Sequence, residues 1–167
     1  MNETTVFLCL GSNRGNRRSQ IDGGIAELQR GPVSMLAHSS VYETEPVGVE
    51  EQPWFFNQVV HGTTRLEPER LLGECKRIER LFGRGPTDVR FGPRTLDIDI
   101  LLYGDRVMAT DWLTIPHPRM HERRFVLIPL VEIAPGLVDP RSGREYSEIL
   151  ERLDEGKKVS KSFRNES

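Results

Sequence analysis

Two aspartates with one residue between them, Asp97 and Asp99, follow closely on two arginines, Arg90 and Arg94. The stretch Thr95–Leu102 reads TLDIDILL, with β-branched and apolar residues alternating as in a strand. Successive strand side chains point to opposite faces, so Leu96, Ile98 and Ile100 share one face and Asp97 and Asp99 the other. Strand positions two residues apart stand roughly 6–7 Å from each other, so the carboxylates can converge on a hard cation. Mg²⁺ favours oxygen ligands and commonly takes one or two carboxylates plus substrate phosphates. The planar guanidinium forks just upstream suit phosphate oxygens. Acids for a cation beside forks for phosphate describe chemistry on a polyphosphate. Read alone, an Asp-x-Asp strand is equally the wet face of an antiparallel sheet. The Gly92-Pro93-Arg94 lead-in and the apolar flanks favour the site.

Other residues could serve the same chemistry. Residues 44–54 form a long loop with two prolines and a glycine, ending in Trp54-Phe55-Phe56-Asn57. Long loops in small domains tend to be functional. An aromatic next to an amide suits a flat heterocycle, Phe55 by stacking and Asn57 by offering a donor and an acceptor; both could instead simply pack at a strand start. A second long loop, 84–94, carries Arg84, Arg90 and Arg94, and a basic loop can close over phosphates. His117, near Arg119 and Arg123, either binds phosphate or bridges backbone groups. Glu79 is either an exposed charge paired with an arginine or a ligand contact.

The elements that must position these residues follow from periodicity. Thr4–Leu10 is a continuous apolar run, as in a central strand. A turn-rich Gly11–Asn16 leads to a helix over Arg17–Arg30, weakened by Gly23 and Gly24. Lacking Gly-Lys-Ser/Thr, Gly11–Gly15 is not a P-loop and reads as a strand-to-helix turn. Val33–Glu43 and Phe56–Thr64 read as antiparallel strands. Glu67–Leu81 is the clearest helix, with Leu71, Leu72, Cys75, Ile78, Leu81 and Phe82 in one stripe. After the Asp97/Asp99 strand come a Gly104-Asp105 turn, a short strand near Arg106–Met108, and a helix over Arg123–Ile133 kinked or bounded at Pro129. A last helix covers Ser147–Asp154. The order predicts an α+β, ferredoxin-like βαββαβ fold: an antiparallel sheet with helices on one face, plus C-terminal additions. A single domain over 1–155 and a frayed polar tail over 156–167 are expected.

The chain has 167 residues and a formal net charge of −2, which disfavours bulk nucleic-acid binding. Its basic residues are nonetheless clustered, as a small anionic ligand would need. Cys9 and Cys75 are expected as buried free thiols. No apolar run approaches the ~20 residues of a membrane span and no signal peptide opens the chain, so a cytoplasmic protein without membrane partners is expected.

Several separated motifs occur in order: GSN at Gly11–Asn13, TEPVG with QPxFxN from Thr44 to Asn57, RIE at Arg77–Glu79, GPRTLDIDI from Gly92, and TIPHPRM with RxF from Thr114 to Phe125. Together they resemble the 6-hydroxymethyl-7,8-dihydropterin pyrophosphokinase family over Thr4 to about Asp154. The resemblance implies transfer of the β,γ-diphosphate of ATP to the hydroxymethyl group of the dihydropterin in folate biosynthesis, by a monomer with two Mg²⁺ ions. Carried over by position, Asp97 and Asp99 hold the metals, and Asp97 helps orient or deprotonate the hydroxyl. Phe55 and Phe125 sandwich the pterin, Asn57 reads its edge, and Thr44 and Val47 add mainly backbone contacts. Arg84, Arg90, Arg94, His117 and Arg123 grip phosphates, with Arg84 and Arg94 also catalytic. Lys76 and Glu79 lie on the nucleotide side, with Ile100 and Thr114 near adenine. Many members carry Tyr at Phe55, Trp at Phe91, Gln at Lys76 and a second loop arginine at Pro86. The alternatives are a non-catalytic ferredoxin-like module, such as an RNA-recognition domain, and a Mg²⁺-dependent phosphohydrolase.

Overall fold

The central apolar run forms β1 (Thr4–Ser12), which is paired along both edges. On one side lies β4 (Phe55–Thr64) and on the other β5 (Asp97–Tyr103), both antiparallel to it. The computed structural model describes residues 2–45, 51–83, 95–153 and 159–162. Among these, β2 (Ser34–His38) and β3 (Tyr42–Thr44) both pair with β4, and β8 (Val159–Lys161) pairs with β3. The sheet therefore runs β5-β1-β4-β3-β8, with β2 beside β3 along β4, and every pairing is antiparallel. A separate two-stranded sheet joins β6 (Met108–Ala109) to β7 (Thr114–Ile115).

The single strand expected over Val33–Glu43 is thus two pieces, for a local reason. At Ser39 the side chain replaces a backbone acceptor: Val59 N donates to Ser39 Oγ at 3.0 Å while Ser39 N donates to Val59 O at 2.8 Å. Serine competes with a ladder in this way. The break is then held by Glu132, which accepts from Ser40 N, Ser40 Oγ and Tyr42 Oη. Part of the stretch expected to fray, Val159–Lys161, is a strand seated on Tyr42–Thr44.

Helices α1 (Arg17–Gln29) and α2 (Pro68–Leu81) cover one sheet face. Asn16 caps α1, its Oδ1 accepting from Ser19 N at 2.9 Å. Gly24 allows close packing, since a Cβ there would meet Leu10 and Leu96 side chains at 2.9 Å. In α2, Leu71, Cys75 and Ile78 are buried, but Leu81, expected in the stripe, is 60% exposed. It lies about 60° round the helix from Ile78, at the stripe's edge.

The later helices, α3 (Arg124–Ile133) and α4 (Tyr146–Glu151), cover the opposite face, where Phe7, Cys9, Val59, Leu127, Leu130 and Tyr146 form a second core. The expected one-face arrangement thus holds for α1 and α2, and the C-terminal helices cover the other face. The alternation of apolar side chains along β1 explains why: Val6, Leu8 and Leu10 enter one core and Phe7 and Cys9 the other, so neither face can be left wet. Pro129 lies inside α3 and does not end it. Both cysteines are buried free thiols, as expected, and burial pushes each thiol pKa upward. Among the described residues no helix is long and apolar enough to cross a membrane.

Candidate active site

On β5 the alternation holds. Ile98 and Ile100 are buried under α1 and α2, while Asp97 and Asp99 are partly exposed on the α3 side. Pairing with β1 fixes them laterally, Asp97 opposite Gly11 and Asp99 opposite Cys9. Between the two acids, Ile98 N donates to Glu79 Oε2 at 2.8 Å. Glu79 is 2% exposed and also lies 3.7 Å from Lys76 Nζ. It is therefore a buried tie from α2 to the strand bearing the acids, and not the exposed charge that was one of its two readings.

The start of β4 supplies the second cluster. Opposite residues of antiparallel strands share a face, and the register aligns Gly11 with Asn57, Tyr42 with Asn57, and Thr44 with Phe55. Asn57 is buried, and its Nδ2 donates to Thr44 Oγ1 at 2.7 Å. Phe55, partly exposed, precedes it on the same face. Asp97, Gly11 and Asn57 thus form one row across three strands, about 10 Å from end to end at the usual strand spacing.

Two residues the sequence reading left unassigned hold the approach to this strand. Asn13 Nδ2 donates to Gln52 Oε1 and to Pro53 O, each at 2.9 Å. Arg17 Nη1 donates to Glu43 Oε2 at 3.0 Å and to Trp54 O at 2.9 Å, with its guanidinium 3.8 Å above the Phe56 ring. Gln52–Trp54 is therefore pinned just before Phe55. GSN was the available signal for Asn13; nothing local marked Arg17.

The third contribution comes from the start of α3. Arg123 is its N-cap residue, with the guanidinium 5.4 Å from the Phe125 ring centroid. Burial lowers the Arg123 pKa, and Asp99 acts against that shift. Burial and Asp97 push Asp99 well above the usual carboxylate range, with Arg123 opposing. Neighbouring carboxylates of which one is disfavoured as an anion by its surroundings and by the other fit a site completed by a cation. Among the described residues no group of three or more His, Cys, Asp or Glu side chains could hold a metal.

His117 joins the same region: its N donates to Leu101 O on β5 at 2.9 Å. Burial, then Arg123, lowers its pKa to about 4, so the ring is neutral at pH 7. Its Nδ1 accepts from Arg119 N at 3.2 Å, which puts the ring proton on Nε2 and leaves a neutral donor. Ile100 is buried in the α1–α2 core, so its side chain faces away from the acids and only its backbone is available to a ligand. Thr114 lies on β7, opposite Ala109. Val47, Arg84, Pro86, Arg90, Phe91 and Arg94 lie outside the described residues.

An acid pair, a half-buried guanidinium and an aromatic–amide strand start share one sheet face, a combination of the class that suits phosphoryl-transfer chemistry. The chain belongs to the 7,8-dihydro-6-hydroxymethylpterin-pyrophosphokinase family, whose model matches residues 7–135. It is 46% identical over 129 residues to the 2-amino-4-hydroxy-6-hydroxymethyldihydropteridine pyrophosphokinase of Bacillus subtilis, covering 77% of each chain. To the Haemophilus influenzae protein of that name it is 38% identical, over 93% of this chain and 96% of that one. An Arabidopsis thaliana folate synthesis bifunctional protein is 45% identical over 78% of this chain, which spans only 28% of that longer protein. The fold is shared with a crystal structure of Plasmodium falciparum HPPK-DHPS, with a TM-score of 0.73 at 14% identity, over 94% of this chain and 49% of that one.

Proposed function

We propose that the protein transfers the β,γ-diphosphate of ATP to the hydroxymethyl group of 6-hydroxymethyl-7,8-dihydropterin, releasing AMP, as a step of folate biosynthesis. The observation that carries this reading is the row Asp97–Gly11–Asn57, which sets a cation-binding acid and a heterocycle-reading amide on one face. The names of relatives matched over most of their own length agree with it.

In this reading the pterin hydroxyl oxygen attacks the β-phosphorus, the bond to the α,β-bridging oxygen breaks, and AMP departs with that oxygen. Asn57 reads the pterin edge, Phe55 and Phe125 hold its faces, and Thr44 and Val47 supply backbone contacts. Asp97 orients the hydroxyl and draws on its proton. Arg123 and the neutral His117 donor hold phosphate oxygens, with Arg84, Arg90 and Arg94 proposed from the sequence for the same task. Lys76, Glu79, Ile100 and Thr114 lie toward the nucleotide, Glu79 also fixing β5. Mg²⁺ held by Asp97 and Asp99, two ions in this proposal, supplies positive charge for phosphate oxygens. Catalysis is then mainly positioning and electrostatics.

The strand order supports a ferredoxin-like reading, with the second strand split into β2 and β3. We further propose that residues 1–155 form the catalytic domain, with β8 an addition from the tail, and that the protein acts as a cytoplasmic monomer without nucleic-acid or membrane partners. The test is mass spectrometry of the products from ATP, Mg²⁺ and hydroxymethyl-dihydropterin. A pterin diphosphate ester with equimolar AMP is expected; ADP or orthophosphate as the nucleotide-derived product would sink the proposal.

A further inference from the structure

Gly11 is placed where glycine is locally unfavourable. It sits inside β1 with ordinary strand backbone, outside the left-handed region that glycine alone enters freely. Glycine weakens a strand interior and often marks a close approach of another group. The missing side chain, and not backbone freedom, is therefore what this position uses.

The approaching group is the Asn57 amide. A Cβ on Gly11 would lie 2.6 Å from Asn57 Oδ1 and 3.6 Å from Phe55 Cδ1. The first distance is far inside contact, so the amide would have to shift. It has little freedom to turn in place, because Nδ2 is bonded to Thr44 Oγ1 at 2.7 Å and Asn57 is 5% exposed. The amide thus lies against Gly11, held by Thr44 on one side and admitted by the bare backbone on the other.

We propose that Gly11 is a positioning residue: its lack of a side chain leaves room for the Asn57 amide in the orientation that reads the pterin edge. This rests on the pterin role of Asn57 proposed above. Gly11 touches the reading group and is not itself a catalytic residue. Its effect should fall on pterin affinity and leave nucleotide affinity alone.

The experiment compares Gly11→Ala, Asn57→Ala and the double variant, without turnover. Binding of 6-hydroxymethylpterin is followed by its fluorescence, and binding of α,β-methylene-ATP with Mg²⁺ by calorimetry. Gly11→Ala is expected to weaken the pterin by about tenfold, as for a displaced buried hydrogen-bonding group, with nucleotide affinity within about twofold. In the Asn57→Ala background, where Oδ1 is gone, adding Gly11→Ala should cost little more, the signature of two residues acting as one. Unchanged pterin binding in Gly11→Ala, alongside a loss in Asn57→Ala, overturns the inference and leaves the pterin reading standing. Unchanged binding in Asn57→Ala overturns both. Equal losses of pterin and nucleotide also overturn the inference. Should Gly11→Ala fail to fold, a double variant that melts with Asn57→Ala supports the collision, and one that also fails to fold overturns it.

Discussion

The two faces of β5 differ completely within a few residues. On one, Ile98 and Ile100, with Leu96 just before the strand, are sealed beneath α1 and α2. On the other stand Asp97 and Asp99, where burial first and then the Asp97 charge make the Asp99 anion costly. The sealed face makes the exposed one tolerable. A strand gripped by an apolar core, by β1 and by the Glu79 carboxylate can hold two acids closer than they would choose. Functional sites are where local rules are broken and paid for elsewhere.

Substitutions on the two faces should fail in opposite ways. Asp97→Asn or Asp99→Asn should lower AMP release by roughly 10²–10³-fold or more, the scale of losing an electrostatic group from such a site. Neither should melt earlier than the wild type in metal-free buffer, since a repulsion is relieved. One residue along, Ile98→Ala should do the reverse, costing about 2–5 kcal/mol in chemical denaturation through the cavity it leaves. Turnover of its folded fraction should change far less than in the aspartate variants.

Smaller effects sharpen the picture around the acids. Phe125→Ala should weaken the pterin by roughly tenfold, as for a lost stacking partner, and a nucleotide analogue much less. Calorimetry showing the reverse order would remove Phe125 from the pterin site. The smallest effect lies at the break between β2 and β3. Burial acts to raise the Glu132 pKa, but the bonds from Ser40 and Tyr42 outweigh it and leave it below the ordinary value of 4.5. Glu132 therefore contributes stability above the unfolded pKa, lost as pH falls through the lowered folded one. Melting temperatures below pH 4.5 should fall more steeply for the wild type than for Glu132→Gln, and parallel curves would show that the tie contributes nothing.

How far the sequence could be read depended on how local each cause was. β1, α2 and the faces of β5 follow from spacing alone, and so do the buried thiols. The split of the second strand was hidden because it depends on Ser39 meeting Val59 and on Glu132, some ninety positions further along. Helices on both faces could have been inferred from β1, which is apolar at consecutive positions and not only at alternate ones. Tail pairing at Val159–Lys161 had no periodic signal in three mostly polar residues. In the candidate site, Asp97, Asp99, Phe55 and Asn57 were legible from residue type and motif. Arg17 was not, because its partners Glu43 and Trp54 are distant in sequence. Gly11 looked like the start of a turn, and only strand register sets it between an acid and an amide.

The central claim is that one sheet face carries cation, nucleotide and pterin together. A crystal structure with α,β-methylene-ATP, Mg²⁺ and 6-hydroxymethylpterin tests it most directly. Cation density bridging the Asp97 and Asp99 carboxylates to phosphate oxygens is expected, with the pterin edge on Asn57. Ligands bound elsewhere, with those carboxylates contacting neither cation nor phosphate, would contradict it.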